Sequence, residues 1–176
     1  TSQELIIASI TPTLMITSSN MLDLDGTLSA TVETTATGGR GGAITFDVIA
    51  GSGSATVDAN SGLVTAVGAG TVMLIASSAG DADYAAATTS QELTIAQLTP
   101  TLTITSGDII NEGSTLMATV MTTATGGRGG AITFDVVAGS GSATVDTNSG
   151  LITGVVAGTV TLVASSAGDV DYAAAS

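Results

Sequence analysis

Residues 34–58 read TTATGGRGGAITFDVIAGSGSATVD, and these 25 residues return at positions 122–146 with one change, Ile49 to Val137. The offset is 88 residues and holds without a gap, because residues 1–88 and 89–176 differ at only 23 of 88 positions. A fixed internal period of this kind predicts two copies of one structural unit.

The composition excludes several classes of function. The chain has no Cys, His, Lys or Trp, and two arginines stand against 15 acidic residues, for a net charge of −13. A chain this acidic repels nucleic acid, and a thiol or zinc site lacks its ligands. No His, Cys or Lys is present to act as a base or nucleophile, so we expect no enzymatic activity and no cofactor.

Hydropathy and termini suggest where the chain works. Its hydrophobic content of 44% is too high for a disordered segment. No apolar run reaches the roughly 18 residues of a membrane span, so we expect no membrane insertion within this segment. The sequence starts within a repeat and shows no signal peptide, so we expect it to be part of a longer protein. Acidity, tandem copying and richness in Thr, Gly and Ala favour an extracellular surface protein.

Apolar residues alternate with polar ones in short runs, which predicts seven β-strands in each copy. In the first copy the predicted strands are residues 2–8, 13–17, 27–33, 43–49, 55–57, 63–67 and 71–77, and residues 90–96 repeat the opening one. The pattern predicts an all-β, two-sheet sandwich. Helices are disfavoured by the density of Thr, Val and Gly. A β-solenoid would repeat every roughly 20–30 residues, and the sequence shows no such shorter period within the 88-residue unit.

Threonines alternate along one predicted strand, at Thr99, Thr101, Thr103 and Thr105. Flat threonine arrays bind ice, but such an array needs several adjacent strands, and this one offers a single row. Ordinary strand preference explains threonine at exposed positions, so ice binding is a minor alternative.

The segment at residues 55–84, ATVDANSGLVTAVGAGTVMLIASSAGDADY, resembles the immunoglobulin-like domains of bacterial surface proteins, group 2. Its second copy at residues 143–172 resembles them equally. Such domains occur in tandem in adhesins and other large surface proteins. The resemblance therefore implies two immunoglobulin-like β-sandwiches of about seven strands each at the bacterial cell surface.

Immunoglobulin-like topology implies that the sandwich and the repeat are out of phase. The first sandwich would cover residues 11–97 and take its seventh strand from beyond the copy boundary, with Leu93 and Ile95 inward. The second, residues 99–176, would lack its last strand. Residues 1–10 would then be the orphan last strand of a preceding unit, with Leu5 and Ile7 as its inward residues. We expect neighbouring copies of the chain as partners, joined either covalently in a longer chain or head-to-tail by exchange of this strand.

The same topology implies that three loops of each unit lie at one end. Arg40 would then face Asp58, Asp81 and Asp83, and Arg128 would face Asp146, Asp169 and Asp171. Three interpretations stay open: an ion-pair cluster that fixes the junction between domains, a structural Ca²⁺ site on the paired aspartates, or solvated loops. Ca²⁺ takes six or more oxygen ligands, more than Asp-x-Asp alone supplies.

Two functional hypotheses follow. The first is a structural repeat segment of an extracellular fibre, stalk or filament, since near-identical copies add length while reusing one set of contacts. The second is an adhesin module, for which the divergent loops at residues 18–26 and 107–114 would carry the ligand site. These loops lack the aromatic anchors of strong binding surfaces.

Overall fold

A computed structural model describes residues 2–176, and in that range it consists of strands, turns and loops without an α-helix. The chain divides into two compact units, one ending at Ala96 and one spanning Gln97–Ser176. Among the described residues, no helix has the length and apolarity required to cross a membrane.

The first unit contains nine strands. They are β1 Leu14–Ile16, β2 Met21–Asp23, β3 Thr27–Ser29, β4 Val32–Thr34, β5 Ile44–Ala50, β6 Ser54–Val57, β7 Leu63–Gly68, β8 Gly70–Ser78 and β9 Ala87–Ala96. One sheet has the order β2-β9-β8-β5, a second has the order β3-β7-β6, and β1 pairs with β4. All pairs are antiparallel except β2 with β9, which is parallel.

The core of the first unit is formed by alternate residues of the two larger sheets. Its most deeply buried large side chains are Val64 of β7, Val72 and Leu74 of β8, and Leu93 and Ile95 of β9. Two sheets enclosing one apolar layer make this unit an immunoglobulin-like β-sandwich, which confirms the predicted fold class.

Strand β9 crosses the boundary between the two sequence copies. It starts at Ala87 and ends at Ala96, and it pairs with β8 along nine residues, from Ser78↔Ala87 to Gly70↔Ile95. The first sandwich is therefore completed by residues that belong, by sequence, to the second copy.

The second unit repeats this architecture up to its last strand. Its strands are β10 Leu102–Ile104, β11 Thr115–Met117, β12 Val120–Thr122, β13 Ile132–Ala138, β14 Ser142–Val145, β15 Leu151–Val156 and β16 Val160–Ser166. The sheets are β11-β15-β14, β13-β16 and β10-β12. A core of Ala118, Phe134, Ile152 and Ala164 lies between them.

Two predicted strands differ from the structure. Residues 27–33 form two strands, because β3 pairs with β7 while β4 pairs with β1 in another sheet. Residues 2–8 form no strand in this chain, and Leu5 and Ile7 are 81% and 91% exposed. An extended segment needs a neighbouring strand for its backbone hydrogen bonds, and the described part of the chain provides none to these residues.

Candidate functional site

Two loops meet at one end of the first unit, residues 38–42 and residues 79–84. The Asp81 carboxylate joins them: its Oδ2 accepts the Gly41 N–H at 2.6 Å, and its Oδ1 accepts the N–H groups of Asp83 and Tyr84 at 2.9 Å each. These hydrogen bonds, the one from Gly41 foremost, lower the pKa of Asp81. Gly41 has φ 91° and no room for a Cβ, which would lie 2.9 Å from the Cβ of Ala36.

Arg40 and Tyr84 add weaker links to the same loops. The Arg40 guanidinium lies 3.0 Å from Asp83 Oδ2, and both side chains are mostly exposed, so the pair contributes at most about 1 kcal/mol. The Tyr84 hydroxyl accepts the Thr37 N–H at 3.3 Å and lies 3.2 Å from Thr37 Oγ1. The two loops are therefore held together mainly by the hydrogen bonds that Asp81 accepts, and the Arg40 ion pair contributes less.

The second unit reproduces the network residue by residue. Asp169 accepts the N–H groups of Gly129 at 2.5 Å, Asp171 at 2.9 Å and Tyr172 at 2.8 Å. Arg128 lies 3.4 Å from Asp171, and its guanidinium carbon lies 5.5 Å from the centre of the Tyr172 ring, within cation–π distance.

Asp58 and Asp146 lie in turns of their own. The Asp58 Oδ1 accepts the Ser61 N–H at 2.7 Å, the Ser61 hydroxyl at 2.8 Å and the Asn60 N–H at 3.1 Å. These bonds lower the pKa of Asp58, and the corresponding turn does the same for Asp146. Arg40 pairs with Asp83, whereas the hydrogen bonds of Asp58 lie within its own turn.

A Ca²⁺ ion at the paired aspartates would bind carboxylate oxygens that also accept backbone N–H groups. No group of three or more acidic side chains placed to hold a metal ion occurs within residues 2–176. Both oxygens of Asp81, and both of Asp169, already accept backbone N–H groups. The calcium interpretation stays a prediction.

The second site is the open edge of the second sandwich. Strand β8 lies between β5 and β9, whereas within residues 2–176 its counterpart β16 pairs with β13 and otherwise makes a single bridge, between Ser166 and Ala175. That bridge matches the first pair of β8 with β9, Ser78 with Ala87. Residues 109–111, at the positions of β2, form no strand.

Core residues along this edge are less covered than their counterparts. Val72 and Leu74 are 2% and 0% exposed, whereas Val160 and Leu162 are only partly buried. Beside them lies a cavity of about 330 Å³, lined by apolar side chains that include Ile104, Ile110, Leu116, Ile152, Val160 and Leu162. We call this surface the acceptor groove.

Comparison with known proteins adds little to the description of this geometry. No family model matches the chain, and comparison with curated proteins finds no match. A solved structure of the fibronectin(III)-like modules of Clostridium thermocellum CbhA is similar at 14% identity with a TM-score of 0.32, covering 93% of this chain and 90% of that one. A similarity this low does not indicate a function for the chain.

Proposed function

We propose that the chain is a structural repeat segment of an extracellular bacterial fibre or stalk, built from immunoglobulin-like domains of the group 2 type, without enzymatic activity. The observation that carries this proposal is the uniform repetition of the unit. Both units keep the same Asp-centred loop network and the same inward positions, such as Phe46 with Phe134 and Ala76 with Ala164. A chain that mainly adds length would preserve the whole unit in this way.

Dimensions and charge fit such a role. Strands of seven residues at about 3.3 Å per residue, with their loops, give each sandwich a length of roughly 35–45 Å. The net charge of −13 opposes non-specific association between chains and with anionic surfaces. The groups that would position a neighbour are backbone edges and small loops, which are suited to repeated contacts between domains.

Stretching single molecules of the chain tests the mechanical part of the proposal. Each sandwich should unfold as one event, releasing roughly 235–280 Å of contour length, because about 80–90 residues extend at no more than about 3.5 Å each and the folded unit already spans roughly 35–45 Å. Antibody against the chain should also label intact cells that produce it. Gradual extension without discrete events, or labelling only after cell lysis, would contradict a surface spacer.

The adhesin alternative depends on the region where the units differ most. All eight residues from 19 to 26 differ from residues 107–114, while most of the remaining chain is kept. In the first unit this region contributes Leu22 and Leu24 to the core, at 8% and 3% exposure. The corresponding Ile110 is partly buried and Glu112 is exposed, so the divergence changes the packing of this region as well as its surface.

A further inference from the structure

Asp25 has a backbone conformation that is otherwise found only at glycines within residues 2–176. Its φ is 62°, in the left-handed region that few residues with a side chain adopt. Asp25 is third in a four-residue turn, which the Gly26 N–H closes by donating to the Asp23 carbonyl at 3.0 Å. Turns with positive φ at the third position usually have glycine or asparagine there, so this aspartate is an exception to the rule.

The second unit has a glycine at the same place. Its turn is closed by the Ser114 N–H, which donates to the Asn111 carbonyl at 3.0 Å, and Gly113 has φ 75°. The 88-residue offset relates Asp25 to Gly113 and Gly26 to Ser114. The fold therefore forms this turn without an aspartate, and the first unit alone carries an Asp-Gly pair, which occurs once in the sequence.

An aspartate followed by glycine can react with its own main chain. The glycine nitrogen attacks Cγ of the aspartic acid, an N–Cγ bond forms, and a five-membered succinimide results as one water leaves. Water then adds to a ring carbonyl, and when the bond from the nitrogen to the former main-chain carbonyl carbon breaks, the product is isoaspartate. Its main chain runs through Cβ and Cγ and is one atom longer. The reaction needs only water, and a glycine favours it because no Cβ obstructs the nitrogen.

The surroundings of Asp25 favour this reaction over the same reaction elsewhere. Asp25 is exposed, so water reaches its carboxyl group. The attacking nitrogen of Gly26 is held by the turn, next to β2, which has only three residues. Short surface elements open locally more often than core strands do. Every other aspartate precedes a residue with a side chain, and Asp58 and Asp81 also accept backbone N–H groups.

The longer main chain would lie between two anchored residues. The side chain of Leu24 is 3% exposed, and its N–H donates to the Ala96 carbonyl at the end of β9 at 3.1 Å. The Gly26 carbonyl accepts the N–H of Ala66 in β7 at 3.0 Å. An added atom at Asp25 therefore displaces at least one of these two contacts, on which the packing of β2 against the first sandwich depends.

We infer that Asp25 is a site of spontaneous isoaspartate formation, and that this modification loosens the first sandwich where β2 meets the end of β9. The reacting groups are the Asp25 carboxyl and the Gly26 nitrogen, and water is the co-reactant. The second unit has no equivalent site, so two units of nearly the same sequence would age differently. The inference goes beyond the proposed function, because it depends on the fold of the first unit and on no partner.

Prolonged incubation of the chain in mildly acidic buffer, below its melting temperature, tests the inference. Peptide mapping with electron-transfer fragmentation should find more isoaspartate at Asp25 than at all other aspartates together, with a succinimide lighter by one water in the same peptide. Asp25→Gly installs the residue of the second unit and should abolish the signal. Gly26→Ser, also the residue of the second unit, should slow the reaction by about tenfold, because the added Cβ hinders the nitrogen.

Amide hydrogen exchange of the aged chain tests the structural consequence. Strand β2 and the end of β9 should exchange faster than in the fresh chain, while the strands of the second unit should keep their rates. The aged Asp25→Gly variant is the matched control and should exchange like its fresh form. Isoaspartate that is absent, or spread evenly over the aspartates, would overturn the inference. A chain modified at Asp25 whose β2 and β9 keep their original exchange rates would overturn it as well.

Discussion

The same residue type has opposite environments at two equivalent positions, Leu5 and Leu93. Each follows Ser-Gln-Glu, yet Leu5 is 81% exposed and Leu93 is 0% exposed. Alternation in the sequence predicts which side chains of a strand point the same way. It does not reveal whether a neighbouring strand is present, because that depends on residues far away in the chain. Sequence analysis predicted both leucines as inward residues, and within residues 2–176 Leu93 is buried while Leu5 lies on a segment without a neighbouring strand.

This contrast predicts unequal effects of one substitution. Leu93→Ala should lower the free energy of unfolding of the first unit by about 2–5 kcal/mol, since it leaves a cavity beside Val72 and Leu74. Leu5→Ala, at a concentration where the chain is monomeric, should change it by less than about 0.5 kcal/mol. Urea unfolding of the two variants measures both values. Equal losses of stability would mean that residues 2–8 are packed within their own molecule.

At the scale of elements, the loops were predicted in part. The sequence placed Arg40 near Asp81 and Asp83, and the structure brings these three residues to one pair of loops. Asp58 was predicted there too, but it caps its own turn through Ser61. Its Asp-Ala-Asn-Ser-Gly sequence is typical of such a turn. The central role of Asp81, through backbone N–H groups, had no sequence signal, because backbone donors are the same at every residue.

The loop pair should make both units sensitive to acid. The pKa values of Asp81 and Asp169 are lowered in the folded state by hydrogen bonds, first from Gly41 and Gly129. The unfolded chain therefore takes up protons first as the pH falls, so this contribution is present above about pH 4 and is lost as the pH falls through the folded-state pKa values. Thermal unfolding between neutral and acidic pH should show a falling melting temperature below about pH 4.

Replacing Asp81 and Asp169 with asparagine tests how much these two carboxylates contribute to the acid sensitivity of the fold. Asp81→Asn with Asp169→Asn should lower the melting temperature near pH 7 and flatten its decrease in acid, because an amide takes up no proton there. Glu33→Gln, on an exposed strand position outside the loops, is the control and should keep the original profile. An unchanged acid decrease in the double variant would show that other carboxyl groups control it.

At the scale of the whole molecule, the internal period predicted two units and the alternation predicted β-sandwiches, while the phase between repeat and fold was implied by the resemblance to immunoglobulin-like domains. The 88-residue offset identified the unit, and the turn signals separated most of its strands. Strand β2 was not predicted, because it has only three residues, Met21–Asp23, and lies in a segment that diverges between the copies. Its parallel pairing with β9 comes from distant residues, which a local pattern does not record.

The central claim is that a sandwich of this chain closes only when a strand of the β9 type covers its edge. Amide hydrogen exchange of the chain at a concentration where it is monomeric, followed by mass spectrometry, tests it most directly by comparing β8 with β16. The open β16 should exchange faster than β8, which has strands on both sides, and a peptide of residues 1–9 should slow β16 to the rate of β8. Equal protection of β8 and β16 without the peptide would contradict the claim.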